Sequence, residues 1–414
     1  MRKFVIQRPY IRLLMDSLKQ TVCDIIKQES TELNEISKTI WNLKELSFEE
    51  RLSHDCLTKF LEEKGFHVKR HYKLETAFIA WWGNYEAADS QGRKPHVAIM
   101  CEYDALPDIG HACGHNLIAE IALATGLAVK GALQQAGKEL GKVSIIGTPA
   151  EEGGGGKIEL LNAGVFDDVD VAMMSHPTSF TDPRPIFLGG KRFYVNYHGK
   201  ASHAAGFPWD GVNALDAAVL GYMNVAALRQ QLKPTWRVHA IITKGGTKTN
   251  IIPDETQMML QVRAPSDSEV EEVYTKVKTS VTAAATATGC SVDITDIIKP
   301  YESLITNETL AKLYETNGAL IGVEFPPVAS KQILGSTDMG NVSHRVPSLH
   351  PTYNCGTQAV NHTKEFALAS ASPDAQPSTL AQAKILAMVA LDIFLNPDLL
   401  SKIKQDFEND LHKV

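Results

Sequence analysis

The stretch His96–Gln135, "HVAIMCEYDALPDIGHACGHNLIAEIALATGLAVKGALQQ", decides the fold. It opens as a short unbroken apolar run, passes through a segment dense in acids, Gly, Pro, His and Cys, and continues as a long apolar segment with helix-forming residues. A short apolar run without polar alternation marks a strand buried on both faces, and a helix after it supplies the crossover a parallel neighbour needs. Two runs of the same kind follow, "KVSIIGTPAEE" at 142–152 and "VDVAMMSHP" at 169–177, with the helical stretch "GKIELLNAG" at 156–164 between them. Strands alternating with helices predict an α/β fold: a mixed, mostly parallel sheet sandwiched by helices.

Upstream, Val22, Ile25, Ile26, Leu33, Ile36 and Ile40, then Leu52, Leu57, Phe60 and Leu61, recur at helical spacing and predict a pair of N-terminal helices. Downstream the order changes. Strand "RFYVNYHG", helix "GVNALDAAVLGYMNVAALRQQL", strands "WRVHAIITK" and "ETQMMLQVRA", helix "SEVEEVYTKVKTSVTAAATAT" and strand "SVDITDIIK" make β-α-β-β-α-β, a ferredoxin-like arrangement. Helix "ETLAKLYETNGALIG" and a helical pair over 375–410 then resume the earlier composition. The expected organisation is a discontinuous catalytic domain, 1–189 and 301–414, with residues 190–300 inserted as an α+β lid and dimerisation domain.

At 414 residues the chain is long enough for two cores. With 44% hydrophobic and 21% charged residues it has a globular composition. The net charge of −7 and the scattered Lys and Arg residues argue against nucleic acid and anionic membrane as partners, and for a small molecule. No window approaches the roughly 18 unbroken apolar residues of a membrane span. The amino-terminal "MRKFVIQRPYIRLLMDSLKQ" lacks the apolar core of a signal peptide. Six dispersed cysteines point to a reducing compartment, and the expected location is the cytoplasm.

The three strand ends deliver Glu102 and Asp104, Glu151 and Glu152, and His176 to one sheet edge, where open α/β sheets bind ligands. Cys113 and His115 open the following helix, and "VNHTKEF" adds His362 from the far end of the chain. Thiolate, imidazole and carboxylate form a set suited to zinc or a similar divalent ion. The neighbouring Glu151 and Glu152 can divide the work, one holding metal while the other takes a proton from water. The glycines of "EEGGGGKIEL" do not make a phosphate loop, because Glu151 and Ile158 occupy places that motif reserves for Gly and Ser or Thr.

With those motifs in view the chain resembles the aminoacylase and carboxypeptidase metallopeptidases, which cleave amide bonds beside a free carboxylate using one or two metal ions on a zinc-exopeptidase-like fold. The resemblance runs through "CEYDALPDIGHACGHN", "GTPAEEGGGG", "MMSHP", "GKASHAAGFPWDGVNALDAA", "TNIIP", "VRAP", "GSTDMGNVS" and "NHTKEF". It is closest to the branch that splits dipeptides ending in Lys, Arg or ornithine, including β-alanyl-lysine. The resemblance implies Cys113 as a ligand bridging two divalent ions, with zinc expected and manganese or cobalt as alternatives. His115, Glu152, His176 and His362 would complete the two positions, and Glu151 would be the general base. It further implies His203 as the group polarising the scissile carbonyl, and Asn250, Arg263, Gly335 and Ser336 as substrate-binding residues. Asp104 would orient a ligand. A homodimer through the lid is the assembly it implies. Where much of the wider family reads His-x-Asp, this chain reads Glu102-Tyr103-Asp104, a pattern shared by the amidohydrolase branch with "HACGH". His111 is left without an assigned role, and Asp338 is a candidate for selecting a basic side chain.

Three readings compete with this one. In the first Cys113 is a nucleophile activated by His111 or His115, which leaves Glu151, Glu152, His176 and His362 without a purpose. In the second the fold survives only as a binding protein. In the third the enzyme is a broader N-acyl-amino-acid or aminobenzoyl-glutamate-type amidohydrolase.

Overall fold

The computed structural model describes residues 7–84, 94–137, 140–297, 299–326 and 333–412. The first six residues of the amino-terminal stretch lie outside them. The chain divides into two compact units, one of residues 1–185, 305–332 and 341–413, the other of residues 186–304 and 333–340.

The first unit begins with helices α1 (Gln7–Leu43) and α2 (Arg51–Glu63), followed by strands β1 (His67–Lys69), β2 (Phe78–Gly83) and β3 (His96–Cys101). Helix α3 (His115–Ala136), β4 (Lys142–Gly147), α4 (Gly156–Asn162), β5 (Val171–Met173) and β6 (His176–Thr178) come next. All six residues of β3 and of β4 are buried, which is what their unbroken apolar runs require. The sheet has the order β1-β2-β4-β3-β5-β13, where β13 is Ser348–Leu349. Its β4, β3, β5 and β13 are parallel, and β2 and β1 are added antiparallel at one edge. A short parallel pair, β6 with β14 (Thr352–Asn354), extends from the ends of β5 and β13 and sets Thr352 opposite His176.

Helix α1 presents Leu18, Val22, Ile26, Leu33 and Ile40 to this core, all fully buried, at spacings of four and seven. Each contributes about 2 kcal/mol by leaving water. Helix α3 and the closing helices α10 (Gln376–Leu395) and α11 (Pro397–Leu411), with α7 (Glu308–Leu320) and α9 (Lys364–Ala369), complete the unit. The α3 span and the Pro373–Leu395 span are long and apolar enough to cross a membrane by composition. Most of each window is buried inside the unit, so this apolarity belongs to its core.

The second unit contains β7 (Ile186–Phe187), β8 (Gly189–His198), α5 (Ala214–Ala227), β9 (Arg237–Lys244), β10 (Glu255–Ala264), α6 (Asp267–Thr288) and β11 (Ser291–Asp296). Its antiparallel sheet has the order β11-β8-β10-β9, with β8 and β10 in register over ten residue pairs. Phe193, Val195 and Tyr197 of β8 and Met258, Leu260 and Val262 of β10 are buried with Ala217 and Val225 of α5 and Val273, Val277 and Val281 of α6. That is the period-two and period-3.6 match the sequence pattern predicts. One segment departs from the sequence reading, which placed residues 301–414 together in the catalytic domain. Strand β12 (Ile333–Leu334) pairs with β7 and carries residues 333–340 into this unit. Such a two-residue pairing is long-range and leaves no periodic trace. Helix α8 (Met339–Ser343) follows it.

Candidate metal centre

Because β3, β4 and β5 run parallel and side by side, the residues just beyond Cys101, Gly147 and Met173 share one edge of the sheet. Cys113 and His115 reach it through Gly114, which precedes α3 in the left-handed region at φ 82°. A Cβ at Gly114 would lie 2.6 Å from Pro177 Cγ, so only glycine lets the turn close against the loop that carries His176. His362 arrives from the loop before α9. It is itself left-handed at φ 66°, and its backbone N–H donates to Ala112 O at 2.8 Å. The Asn361 side-chain amide donates to Pro177 O at 3.0 Å and to Cys113 O at 3.4 Å. The end of the chain is thereby stitched onto the start of α3.

Two donor triads result. The ligand atoms of Cys113, His115 and His176 lie within 4.8 Å of one another, and so do those of Cys113, Glu152 and His362. Cys113 belongs to both. His115 Nδ1 faces Asp104 O at 2.9 Å and Oδ1 at 3.0 Å, and His176 Nδ1 faces Pro177 O at 2.9 Å. Donation from Nδ1 leaves each Nε2 lone pair free to bind metal. Sγ of Cys113 is 3.4 Å from His176 Nε2, and His362 Nε2 is 3.5 Å from Glu152 Oε1. Oε2 of Glu151 is 3.9 Å from His115 Nε2. Asp104 serves two donors at once, since its Oδ2 accepts the Glu152 N–H at 3.0 Å.

The residues fit a divalent cation, as their own acceptors show. His115 Nε2, Glu152 Oε1 and Glu102 Oε2 are buried atoms without a hydrogen-bond partner. Each such atom costs about 1–3 kcal/mol, more when charged, unless something positive meets it. Burial works against a charged His115, but Cys113 and Asp104 outweigh it and hold its pKa well above the usual imidazole value. The cluster thus draws positive charge inward. Burial pushes the Cys113 thiol well above its usual pKa, with the Glu152 charge adding to it. An activated nucleophile needs the opposite shift. A bound divalent ion would supply both the missing charge and the reason for a thiolate. Burial also lowers His176 to about 4, which keeps it a neutral donor.

His111 is no part of this cluster. It is buried, its Nε2 meets Ile40 O at 3.0 Å, and burial lowers its pKa to about 4, so it ties α1 to the loop. The remaining predicted residues lie in the second unit and form two groups there. His203 Nδ1 accepts from the Ala205 and Gly206 backbone N–H groups at 3.2 and 3.0 Å, which places the ring proton on Nε2. Asn250 is beside it, its carbonyl accepting from Ala204 N–H at 3.1 Å. Arg263 lies across from Gly190, with Gly335 and Ser336 alongside. Arg263 Nε and Ser336 Oγ are buried without hydrogen-bond partners, as a pocket awaiting an anion would leave them. Asp338 is fully buried.

Three residues escaped the sequence reading. Lys157, fully buried, pairs with Glu102. His350 lies 5.8 Å from His176, ring centre to ring centre. Its "SLHP" repeats the pattern of "MSHP", an apolar run ending in His-Pro, and that signal could have found it. Glu50 accepts the Ala150 N–H at 2.9 Å and the Thr76 hydroxyl at 2.8 Å, and so holds Ala150 in its left-handed conformation of φ 59° just before Glu151.

Burial raises the Glu50 pKa to about 7, against the hydrogen bonds that oppose it. A carboxyl with a raised folded-state pKa adds no penalty below the unfolded value near 4.5, and the full penalty above about 7. That penalty is on the order of 3 kcal/mol. Glu50→Gln is therefore expected to unfold at higher denaturant than wild type at pH 8 and to lose the advantage at pH 5. Equal gaps at both pH values would refute the assignment.

Residues 98–376 match Peptidase family M20/M25/M40. The chain belongs to this family. It is accordingly a hydrolytic enzyme. Over 408 residues, 96% of this chain and 94% of the relative, it is 45% identical to the Xaa-Arg dipeptidase of Mus musculus. It is 28% identical to one of the subunits of the p-aminobenzoyl-glutamate hydrolase of Escherichia coli, covering 95% of each chain. Among solved structures it resembles a dinuclear metal binding peptidase of the M20 family from Bacillus subtilis, with a TM-score of 0.66 at 21% identity, covering 88% of this chain and 99% of that one. That likeness supports the α/β fold read from the strand pattern.

Proposed function

We propose that this enzyme hydrolyses the amide bond of dipeptides ending in a basic residue, Xaa-Lys, Xaa-Arg and Xaa-ornithine, including β-alanyl-lysine, with zinc in both donor triads. The observation that carries the reading is the pair of triads sharing Cys113, with the Glu151 carboxylate beside them. The substrate class is supported by the identity to Xaa-Arg dipeptidase over nearly the whole chain.

Cys113, His115 and His176 would hold one ion, and Cys113, Glu152 and His362 the other. Divalent ions bound there lower the pKa of a water and polarise the scissile carbonyl. Glu151 takes the proton of the attacking water on its carboxylate and passes it to the leaving amine. Asp104 keeps the His115 ring in one tautomer and one orientation. His203, its proton fixed on Nε2, suits a donor to the developing oxyanion. Arg263, with Asn250, Gly335 and Ser336, suits the substrate carboxylate, because the guanidinium fork binds two oxygens at once.

A homodimer through the second unit is part of the proposal. Val219, Leu220, Tyr222 and Met223 of α5 and Ile241 and Ile242 of the edge strand β9 are exposed there, and exposed apolar patches of this kind mark partner surfaces. All six cysteines are free thiols, in keeping with the cytoplasm.

The test is a substrate panel on chelator-treated protein, with zinc, manganese or cobalt restored one at a time. The expected result is no activity in the metal-free protein, recovery with metal, and kcat/KM for Xaa-Lys and Xaa-Arg roughly 100-fold above Xaa-Leu. Activity that survives chelation would return the cysteine-nucleophile reading. Faster cleavage of N-acetyl amino acids or p-aminobenzoyl-glutamate would overturn the substrate class.

A further inference from the structure

Beside the two triads lies a buried ion pair with no role in the mechanism above. Glu102, just past β3, and Lys157, in the first turn of α4, are both fully buried, with Lys157 Nζ 2.5 Å from Glu102 Oε1. A lysine at the positive end of a helix, cut off from water, is in an unfavourable place, and a carboxylate opposite it offsets that cost. The pairing explains Oε1 and leaves Oε2 unexplained.

Oε2 has no hydrogen-bond partner and sits 3.4 Å from His115 Nε2, which has none either. With the His115 Nδ1 proton facing Asp104, Nε2 presents a lone pair, so two acceptors face each other across a distance that no hydrogen bond between them can account for. Two ligands of one tetrahedral ion, each bonded at about 2.1 Å, lie about 3.4 Å apart. The same spacing recurs in the pairs Cys113 with His176 and His362 with Glu152, both inside the triads. We infer that Glu102 is a further ligand of the ion held by His115, restricted to one oxygen by the grip of Lys157 on the other. This rests on the metal-dependent reading above and deepens it. The Cys113, His115 and His176 triad supplies three protein donors, and Glu102 makes a fourth. That ion would then be the more enclosed of the two, closer to the closed coordination of a structural site, while the ion at Glu152 and His362 keeps an open position.

A salt bridge that served only the fold would behave differently, and the pair's neutrality separates the cases. The double variant Glu102→Gln with Lys157→Met removes one negative and one positive charge, so the net field at the metals is unchanged while the donor oxygen is lost. Metal equivalents and affinity are measured on the full-length protein by titrating zinc into chelator-treated samples. The visible absorption of the cobalt-substituted protein reports ligand number and type. The expected result is two tight equivalents in wild type and only one in the double variant, with the other weakened roughly 100-fold, together with an altered cobalt spectrum. Two equivalents of unchanged affinity and an unchanged spectrum would make the pair a structural salt bridge and overturn the inference. If wild type itself bound no metal tightly, the proposed function would fall first, and that outcome is read from the wild-type titration alone. Should the double variant fail to fold, Glu102→Asp keeps the charge and the lysine partner but withdraws the oxygen. It is expected to weaken the same single equivalent, and full retention of both would count against the ligand role.

Discussion

Glu151→Gln is expected to lower kcat by about 10³- to 10⁴-fold while zinc content and fold stay at wild-type levels. Glu151 is buried at 8% exposure, and its Oε2 is 3.9 Å from His115 Nε2, close enough to the donors to meet a water held among them. The amide keeps the shape and one acceptor oxygen but cannot take a proton. Metal retention follows because both sharing triads are complete without Glu151. Loss of kcat with metal retained therefore isolates the base. A variant that turns over normally with its metals in place would return Glu151 to a structural role, and one that loses metal would make it a ligand.

Cys113→Ala is expected to cost more, because one atom is removed from two sites. Sγ is the only donor common to the triads, so each drops from three donors to two, and neither remaining pair makes a tight site for a divalent ion. Tight metal equivalents should fall from two to below one, with no measurable hydrolysis. His362→Ala, which touches only one triad, should leave the other equivalent bound. If the cysteine variant retained both ions, bridging by Cys113 would be refuted. Hydrolysis lost with both ions still bound would instead favour the nucleophile reading, which the raised thiol pKa already argues against.

The sequence carries the fold most clearly where burial is symmetric. The unbroken apolar runs of β3 and β4 predict strands covered on both faces, and those strands are fully buried. The β-α-β-β-α-β order of the second unit is legible for a related reason, since strand and helix periods alternate cleanly in it. The three-residue strands β1, β6 and β14 are too short for any period to show. The capture of residues 333–340 by β7 depends on a partner about 147 residues away along the chain, in a pairing only two residues long. At the site, the residues legible in advance are those whose chemistry is unusual in combination, Cys113 with His115 and Glu151 with Glu152. Glu50, Glu102 and Lys157 are ordinary charges in sequence, and only tertiary burial gives them weight. Lys157 drew notice only for failing to complete a phosphate loop.

The anchoring of the His362 loop to Ala112 also imposes a timetable on synthesis. Asn361 and Cys113 are in contact although they stand 248 positions apart in the chain. At synthesis rates of 5–20 residues per second, roughly 10 to 40 s separate the emergence of His176 from that of His362. For that interval the nascent chain owns every donor of the Cys113, His115 and His176 triad and lacks one donor of its neighbour. The two sites therefore mature in a fixed order. Contacts of such long range also form late in folding, so the second site is the last part of the molecule to exist and the first that a truncated chain would never acquire.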